Sequence, residues 1–159
     1  MGASVLNHKI HLSALVALAA LGVSAAAASA APCAPAGADP VDSVRRMYAA
    51  AMAGDRAGTI AAFTADGYLF DGGARFTPEG IADLILKVEA SGVSPRWTIE
   101  GPETHTACDL AWATWTNRGT FTSAKGAEPR VWLESAVLVW RDGAWKIRFF
   151  HSTPVSPAN

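Results

Sequence analysis

Cysteine is scarce in this chain: Cys33 and Cys108 are the only two. At most one disulfide can form, and a zinc site built from several cysteines is excluded. Histidine is nearly as rare. Of the four, His8 and His11 lie near the N-terminus, and His105 and His151 are not close enough in sequence to suggest a ligand pair, so no metal is expected. His105, between Thr104 and Thr106, reads as part of an exposed strand end. Basic residues are scattered and the formal net charge is -1, which leaves no electrostatic footprint for nucleic acid. No glycine-rich loop follows a strand in the manner of a phosphate cradle, and Asp71-Gly72-Gly73 reads as a turn; no cofactor is expected. Cys108 has no evident base or helix N-terminus to activate it as a nucleophile.

The one long apolar run is at the N-terminus. Lys9 supplies a positive n-region, Leu12 to Val23 an apolar core too short for a membrane span, and Ala28-Ser29-Ala30 a small-residue cleavage site. Residues 1–30 are therefore expected to be a signal peptide, with export to the periplasm or the medium after cleavage near Ala30 and no stable membrane anchor in the mature form. Ala30-Ala31-Pro32 before Cys33 does not resemble a lipoprotein processing site. Residues 31–38, rich in Ala and Pro, are expected to form a flexible leader. Two states of the cysteines stay open: a disulfide that staples the leader to the fold, or a buried Cys108 and a free thiol at Cys33.

The folded domain is expected over 39–156, with no internal repeat. Asp39 and Pro40 open a helix running to about Ala53 with Val41, Val44, Met47, Tyr48, Ala51 and Met52 on one stripe. Asp55 caps a short second helix with Ala57, Ile60 and Phe63 inward, Tyr68 to Asp71 is a strand, and Thr77-Pro78-Glu79 opens a third helix closed by Gly92. Beyond Gly92 the apolar period becomes two. Strands are expected at Arg96 to Glu100, about Ala111 to Thr122, Arg130 to Trp140 and Ala144 to Ser152. The fold class is α+β, three N-terminal helices packed on a strongly curved antiparallel sheet.

The final hairpin carries the candidate site. Asp142-Gly143 suits a two-residue type I′ turn, because both residues tolerate positive φ. With uninterrupted pairing, Trp140 faces Trp145, Leu138 faces Ile147, Ala136 faces Phe149 and Glu134 faces His151, all on the core side. Such a Glu134–His151 pair under an apolar roof would raise the histidine pKa and fix its tautomer, as general acid–base chemistry near neutral pH requires. Asp71 joins them as the third candidate catalytic group, with Trp132, Phe63 and Phe149 as walls. Tyr48 and Tyr68 are expected to pack as aromatics and to offer hydroxyls to a ligand. Ser152 follows His151 directly and should face the other way, which excludes a dyad between them. Val131, Leu133, Val137 and Val139 make the outer face apolar as well, a surface suited to a dimer.

Ala53-Gly54-Asp55, Phe63-Thr64-Ala65-Asp66-Gly67 and the run Trp140-Arg-Asp-Gly-Ala-Trp-Lys-Ile with His151-Ser152, in this order and spacing, resemble the nuclear transport factor 2-like superfamily over about Val41 to Pro154. They look most like its bacterial SnoaL-like members, in a cone-shaped, cystatin-like fold that also serves ketosteroid isomerases. The resemblance implies a pocket for a small hydrophobic ligand at the open end of the cone, and often a homodimer across the outer sheet face. It also implies a general base at Asp71. The isomerase phenol falls on Met47, with Tyr48 one residue off and turned away, and the isomerase's protonated acid falls on Ala136, so steroid isomerisation is not expected. Two functional readings follow: an exported small-molecule-binding domain, with isomerase, dehydratase or cyclase chemistry in reach, or a non-catalytic dimeric module in which the Glu134–His151 pair is structural.

Overall fold

A computed structural model of the chain describes residues 32–155; the expected signal peptide at 1–30 and the last residue of the expected domain, 156, lie outside the described residues. Two helices come first, α1 (Val41–Met52) and α2 (Arg56–Ala61), followed by β1 (Phe63–Asp71), β2 (Ala74–Phe76) and α3 (Pro78–Ala90). Four long strands complete the chain: β3 (Ser94–Ala107), β4 (Leu110–Ser123), β5 (Gly126–Arg141) and β6 (Ala144–Pro154). The helix starts are chemically marked. The Asp39 carboxylate accepts from Val41 N at 2.9 Å, that of Asp55 from Gly58 N at 2.9 Å, and the Thr77 hydroxyl from Gly80 N at 3.1 Å, each satisfying a backbone donor that the first helical turn leaves free.

The six strands form one curved sheet in the order β2-β1-β6-β5-β4-β3. It is mixed rather than antiparallel, because β1 runs parallel to β6. Helix α1 packs on β3 and β6, α3 packs on β1, β2 and β3, and α2 bridges the other two helices. Together they cover one face, over a core that includes Val44, Trp115, Leu138, Trp145, Ile147 and Phe150. Phe63, expected at the end of the second helix, instead opens β1: it is paired with Ile147, whose N–H donates to Ala62 O. Gly101-Pro102 does not end a strand either. The register shifts between Glu100 and Glu103, so the dipeptide sits in a bulge, where a proline's missing N–H costs the ladder nothing.

The Asp142-Gly143 turn forms as expected, with φ of 54° and 76° and Arg141 opposite Ala144. Trp140 faces Trp145 and Leu138 faces Ile147. One step later the register breaks. Val137, not Ala136, faces Phe149, so Arg148 is an extra residue on β6 with no partner on β5. Its guanidinium reaches outward to the Asp66 carbonyl oxygen at 2.5 Å and to the Asp66 carboxylate. Because side chains alternate with period two, one inserted residue exchanges the faces of everything beyond it. Phe150 and Ser152 therefore turn into the core, and Phe149 and His151 turn out.

Cys33 and Cys108 are joined in a disulfide, which ties the segment before α1 to the turn between β3 and β4. Ala34 N also donates to Cys108 O at 3.1 Å, and Trp145 Nε1 to Ala38 O at 3.1 Å. Residues 33–38 are thus tied to the domain, and of the two cysteine states left open by the sequence the structure has the disulfide that staples the leader to the fold. No helix among the described residues is long and apolar enough to cross a membrane.

Candidate functional site

Four neighbouring strands contribute one row of side chains to the covered face. Asp71 on β1 is paired with Ser152 on β6, Ser152 with Glu134 on β5, and Glu134 with Trp115 on β4. Glu134 is the centre of this row and only 7% exposed. Its Oε1 accepts from Ser152 Oγ at 3.1 Å and from Asn117 Nδ2 at 3.2 Å. Its Oε2 accepts from Trp115 Nε1 at 2.7 Å and from the Tyr48 hydroxyl, which α1 lowers onto the sheet. Asn117, also on β4, is fixed in orientation by its own contacts. Its Oδ1 accepts from Thr98 N at 3.3 Å, which turns Nδ2 toward Glu134 and toward the Tyr48 oxygen, 3.1 Å away.

Burial pushes the Glu134 carboxyl above the ordinary carboxylate range, against the pull of its four donors, each of which favours the charged form. Burial also raises Asp71, opposed by the neighbouring Ser152 hydroxyl and Gly72 N–H and by the charge of His151. Burial and the neighbouring Glu134 push the Tyr48 phenol well above its usual value, so it stays a neutral donor.

The row forms the polar wall of a cavity of about 180 Å³ between the sheet and the helices. Met47 and Ala51 of α1 and Ile81, Leu84, Ile85 and Val88 of α3 make one side, and Leu69, Pro95, Trp97, Phe121, Trp132 and Phe150 of the sheet make most of the other. Apart from Thr59, whose hydroxyl donates to Asp55 O, the polar side chains lining it are Tyr48, Asp71, Asn117, Glu134 and Ser152. An apolar chamber with its polar groups gathered at one end is the general form of a small-molecule site. Among the described residues no group of three or more His, Cys, Asp or Glu side chains is placed to hold a metal ion.

The expected Glu134–His151 pair does not form. His151 is exposed on the outer face, beside the rings of Phe70 and Phe149 and 3.2 Å from Thr153 Oγ1, and Ser152 takes the place opposite Glu134. Of the expected walls only Trp132 lines the cavity; Phe63 is in the core below α2, and Phe149 faces outward against Tyr68. Tyr68 lies there too, under the Arg75 guanidinium at 4.5 Å. Tyr48 is not turned away, since it is buried against Trp97 and bonded to Glu134. Trp115 and Asn117 were not anticipated. Their signal is the alternation of β4, where Ala111, Ala113, Trp115, Asn117 and Gly119 all point inward and an asparagine in such a row needs a partner.

No family model and no curated protein matches this sequence. Solved structures match its fold. The protein Aln2 from a Streptomyces species superposes with a TM-score of 0.63 at 21% identity, covering 72% of this chain and 86% of that one. A ketosteroid isomerase-like protein from Erwinia carotovora atroseptica gives a TM-score of 0.58 at 24% identity, over 73% of this chain and 93% of the other. An uncharacterized protein with a cystatin-like fold from Caulobacter vibrioides gives 0.58 at 17%, over 73% and 87%. At these identities the likeness is one of fold, an α+β architecture with cystatin-like neighbours.

Proposed function

We propose that this nuclear transport factor 2-like domain binds a compact apolar molecule carrying a carbonyl or phenolic oxygen, and that Asp71 exchanges a proton with it. The observation that carries this reading is the gathering of Asp71, Ser152, Glu134, Asn117 and Tyr48 on one wall of an otherwise apolar cavity. A carboxyl raised by burial is suited to taking and returning a proton nearer neutral pH than an exposed one. Reaction types open to such a group are isomerisation, dehydration and cyclisation. Steroid-type isomerisation fits less well, because the Tyr48 and Asn117 donors point at Glu134 and not into the cavity at a developing oxyanion.

The test is a thermal-shift screen of the disulfide-bonded domain against apolar carbonyl and phenolic compounds. A ligand at a hundred times its dissociation constant should stabilise the fold by about 2.7 kcal/mol. Asp71→Asn should weaken that effect and abolish any turnover, while His151→Ala, on the outer face, should leave the stabilisation by ligand in place. Absence of a shift from every compound, or equal shifts in wild type and Asp71→Asn, would overturn the proposal.

A dimer, with or without catalysis, is favoured by a separate observation. The outer face exposes Leu133 at 59%, Trp112 at 50%, Leu110 at 44% and Phe70 at 40%. These side chains form an apolar surface of the kind that self-association covers. Sedimentation should show a dimer that Leu133→Glu converts to a folded monomer; a wild-type monomer at all concentrations would refute it. Export is proposed as well, supported by the disulfide, since such bonds persist in oxidising compartments. Mass measurement of the protein from a cell envelope fraction should find the chain starting at Ala31.

A further inference from the structure

On the polar wall of the cavity the hydrogen-bond donors are spent and acceptors are left over. The Tyr48 hydroxyl and Trp115 Nε1 donate to Glu134 Oε2, and the Ser152 hydroxyl donates to Glu134 Oε1 at 3.1 Å. Asn117 Nδ2 has two hydrogens, and both are placed: one on Glu134 Oε1 at 3.2 Å and one on the Tyr48 oxygen at 3.1 Å. The Thr59 hydroxyl gives its proton to Asp55 O at 2.8 Å. Every hydroxyl and side-chain amide hydrogen on the lining is therefore held by the protein. Lone pairs remain at two neighbouring places. Ser152 Oγ has given its one proton to Glu134 and keeps its acceptor sites, and a charged Asp71 carboxylate has acceptor sites alone. These two residues are paired across β6 and β1, and both line the cavity.

We infer that the cavity selects a ligand that donates a hydrogen bond, an apolar ring compound with a phenolic or alcoholic hydroxyl, and discriminates against the carbonyl counterpart of the same ring. The inference rests on the reading of the cavity as a small-molecule site, and it chooses between the two oxygen types which that reading admits. A hydroxyl placed at Asp71 and Ser152 gives its proton to one of these acceptors. A carbonyl oxygen in the same place has lone pairs only, and it meets lone pairs and a negative charge with no hydrogen between them. It leaves its water behind and gains no partner in exchange, which is costly for a buried polar group. A site built around a hydrogen bond rejects the analogue that cannot make it far more strongly than an apolar pocket rejects a change in size.

The rest of the lining leaves this choice to Asp71 and Ser152. Glu134 does not compete for the ligand's proton, because each of its oxygens already accepts two hydrogen bonds. The indoles of Trp97 and Trp132 carry the other side-chain N–H groups, and they stand away from Asp71. Trp132 is paired with Asn117 and Trp97 with Gly119, in rows beyond the one that holds Asp71, Ser152 and Glu134. Leu69 of β1, Phe150 of β6 and Ile81, Leu84, Ile85 and Val88 of α3 offer the ring apolar contact only. Among the described residues, the titratable side chains of the lining are Tyr48, Asp71 and Glu134, with His151 behind the sheet. Of these, Asp71 alone becomes a free donor on protonation, so the selectivity belongs to its charged form.

The test is calorimetric titration of the disulfide-bonded protein with tetralol, tetralone and tetralin, one ring system carrying a hydroxyl, a carbonyl or neither. It is made at about pH 8, above the ordinary carboxylate range and below that of a phenol. Tetralol should bind roughly tenfold more tightly than tetralin, as a hydrogen bond to a charged acceptor allows, and tetralone no more tightly than tetralin. Asp71→Asn puts an amide donor beside an acceptor, so tetralone should gain affinity and the ratio of tetralol to tetralone binding should fall to near one. Tetralone binding the wild type as tightly as tetralol, or a ratio unchanged in Asp71→Asn, would overturn the inference. If Asp71→Asn fails to fold, the wild-type comparison decides alone: a roughly tenfold preference for the hydroxyl supports it, and its absence refutes it. Binding without such a preference removes the selectivity and leaves the cavity as a ligand site, whereas no binding by any of the three removes both.

Discussion

Replacing Glu134 with glutamine removes one acceptor oxygen and places an amide N–H₂ in its position, with no change in size. Both Glu134 oxygens are used: Oε2 by Trp115 and Tyr48, and Oε1 by Asn117 and Ser152. Trp115 Nε1 and Asn117 Nδ2 cannot accept, and they bond different oxygens. Whichever way the new amide turns, one donor-only group faces another donor in a site that is 7% exposed. A buried donor left without an acceptor costs about 1–3 kcal/mol, and the loss should not be recovered by rotation. Urea unfolding at neutral pH should show that decrease in stability, and the melting temperature should fall by roughly 3–5 °C per kcal/mol for a domain of this size. The sign of the pH dependence is also set. Burial raises the Glu134 carboxyl, so the folded state holds its proton to higher pH than the unfolded state. Its contribution is full below the unfolded carboxylate range and is lost as pH rises through the folded value. Glutamine has no such dependence, so the gap between the two proteins should be widest at acid pH and narrow as pH rises. A Glu134→Gln protein as stable as wild type, or a gap that widens with pH, would refute the network as described.

Other consequences are open to measurement. Asp71 is raised in the same direction and by the same cause, so Asp71→Asn should flatten the decline in stability above the ordinary carboxylate range, read from unfolding curves across pH. Gly119→Ala would place a Cβ 2.7 Å from Trp132 Cζ3 and 2.8 Å from Arg96 O; the backbone oxygen cannot move aside, and calorimetry should show a loss of about 1–3 kcal/mol with altered tryptophan emission. The Cys33–Cys108 bond closes a long loop, its ends separated by 75 positions in sequence, so the double serine variant should lose about 2–4 kcal/mol in chemical unfolding. A reductant should reproduce that loss in the wild type and leave the variant unchanged.

Much of the fold was legible because it depends on local chemistry. Asp39, Asp55 and Thr77 mark helix starts through carboxylate and hydroxyl bonds to free N–H groups, and Asp142-Gly143 marks a turn through positive φ. The inward set of β5, with Glu134, Ala136 and Leu138 buried, followed from simple alternation. The site was less legible for one reason. Phe149 and Phe150 are adjacent aromatics, and either can satisfy the core, so hydrophobicity does not say which faces inward or whether the alternation is interrupted between Ile147 and Phe150. The bulge at Arg148 settles it, and its cause is nonlocal. Asp66, a strand away, binds the Arg148 side chain, while β1 shifts its own register on β6 between Phe63 and Tyr68.

The sequence by itself determined an α+β chain with three capped helices, a terminal hairpin with a type I′ turn, and an inward Glu134 needing polar company. Those properties reside in residues close along the chain, where capping, turn chemistry and alternation act. Only the tertiary structure decided which side chains provide that company. One extra residue in β6 exchanged His151 for Ser152, α1 brought Tyr48 down onto the carboxylate, and the parallel pairing of β1 with β6 placed Asp71 at the end of the row. Each of these depends on register between strands distant in sequence, where a single residue of offset turns a side chain from the cavity to the opposite face.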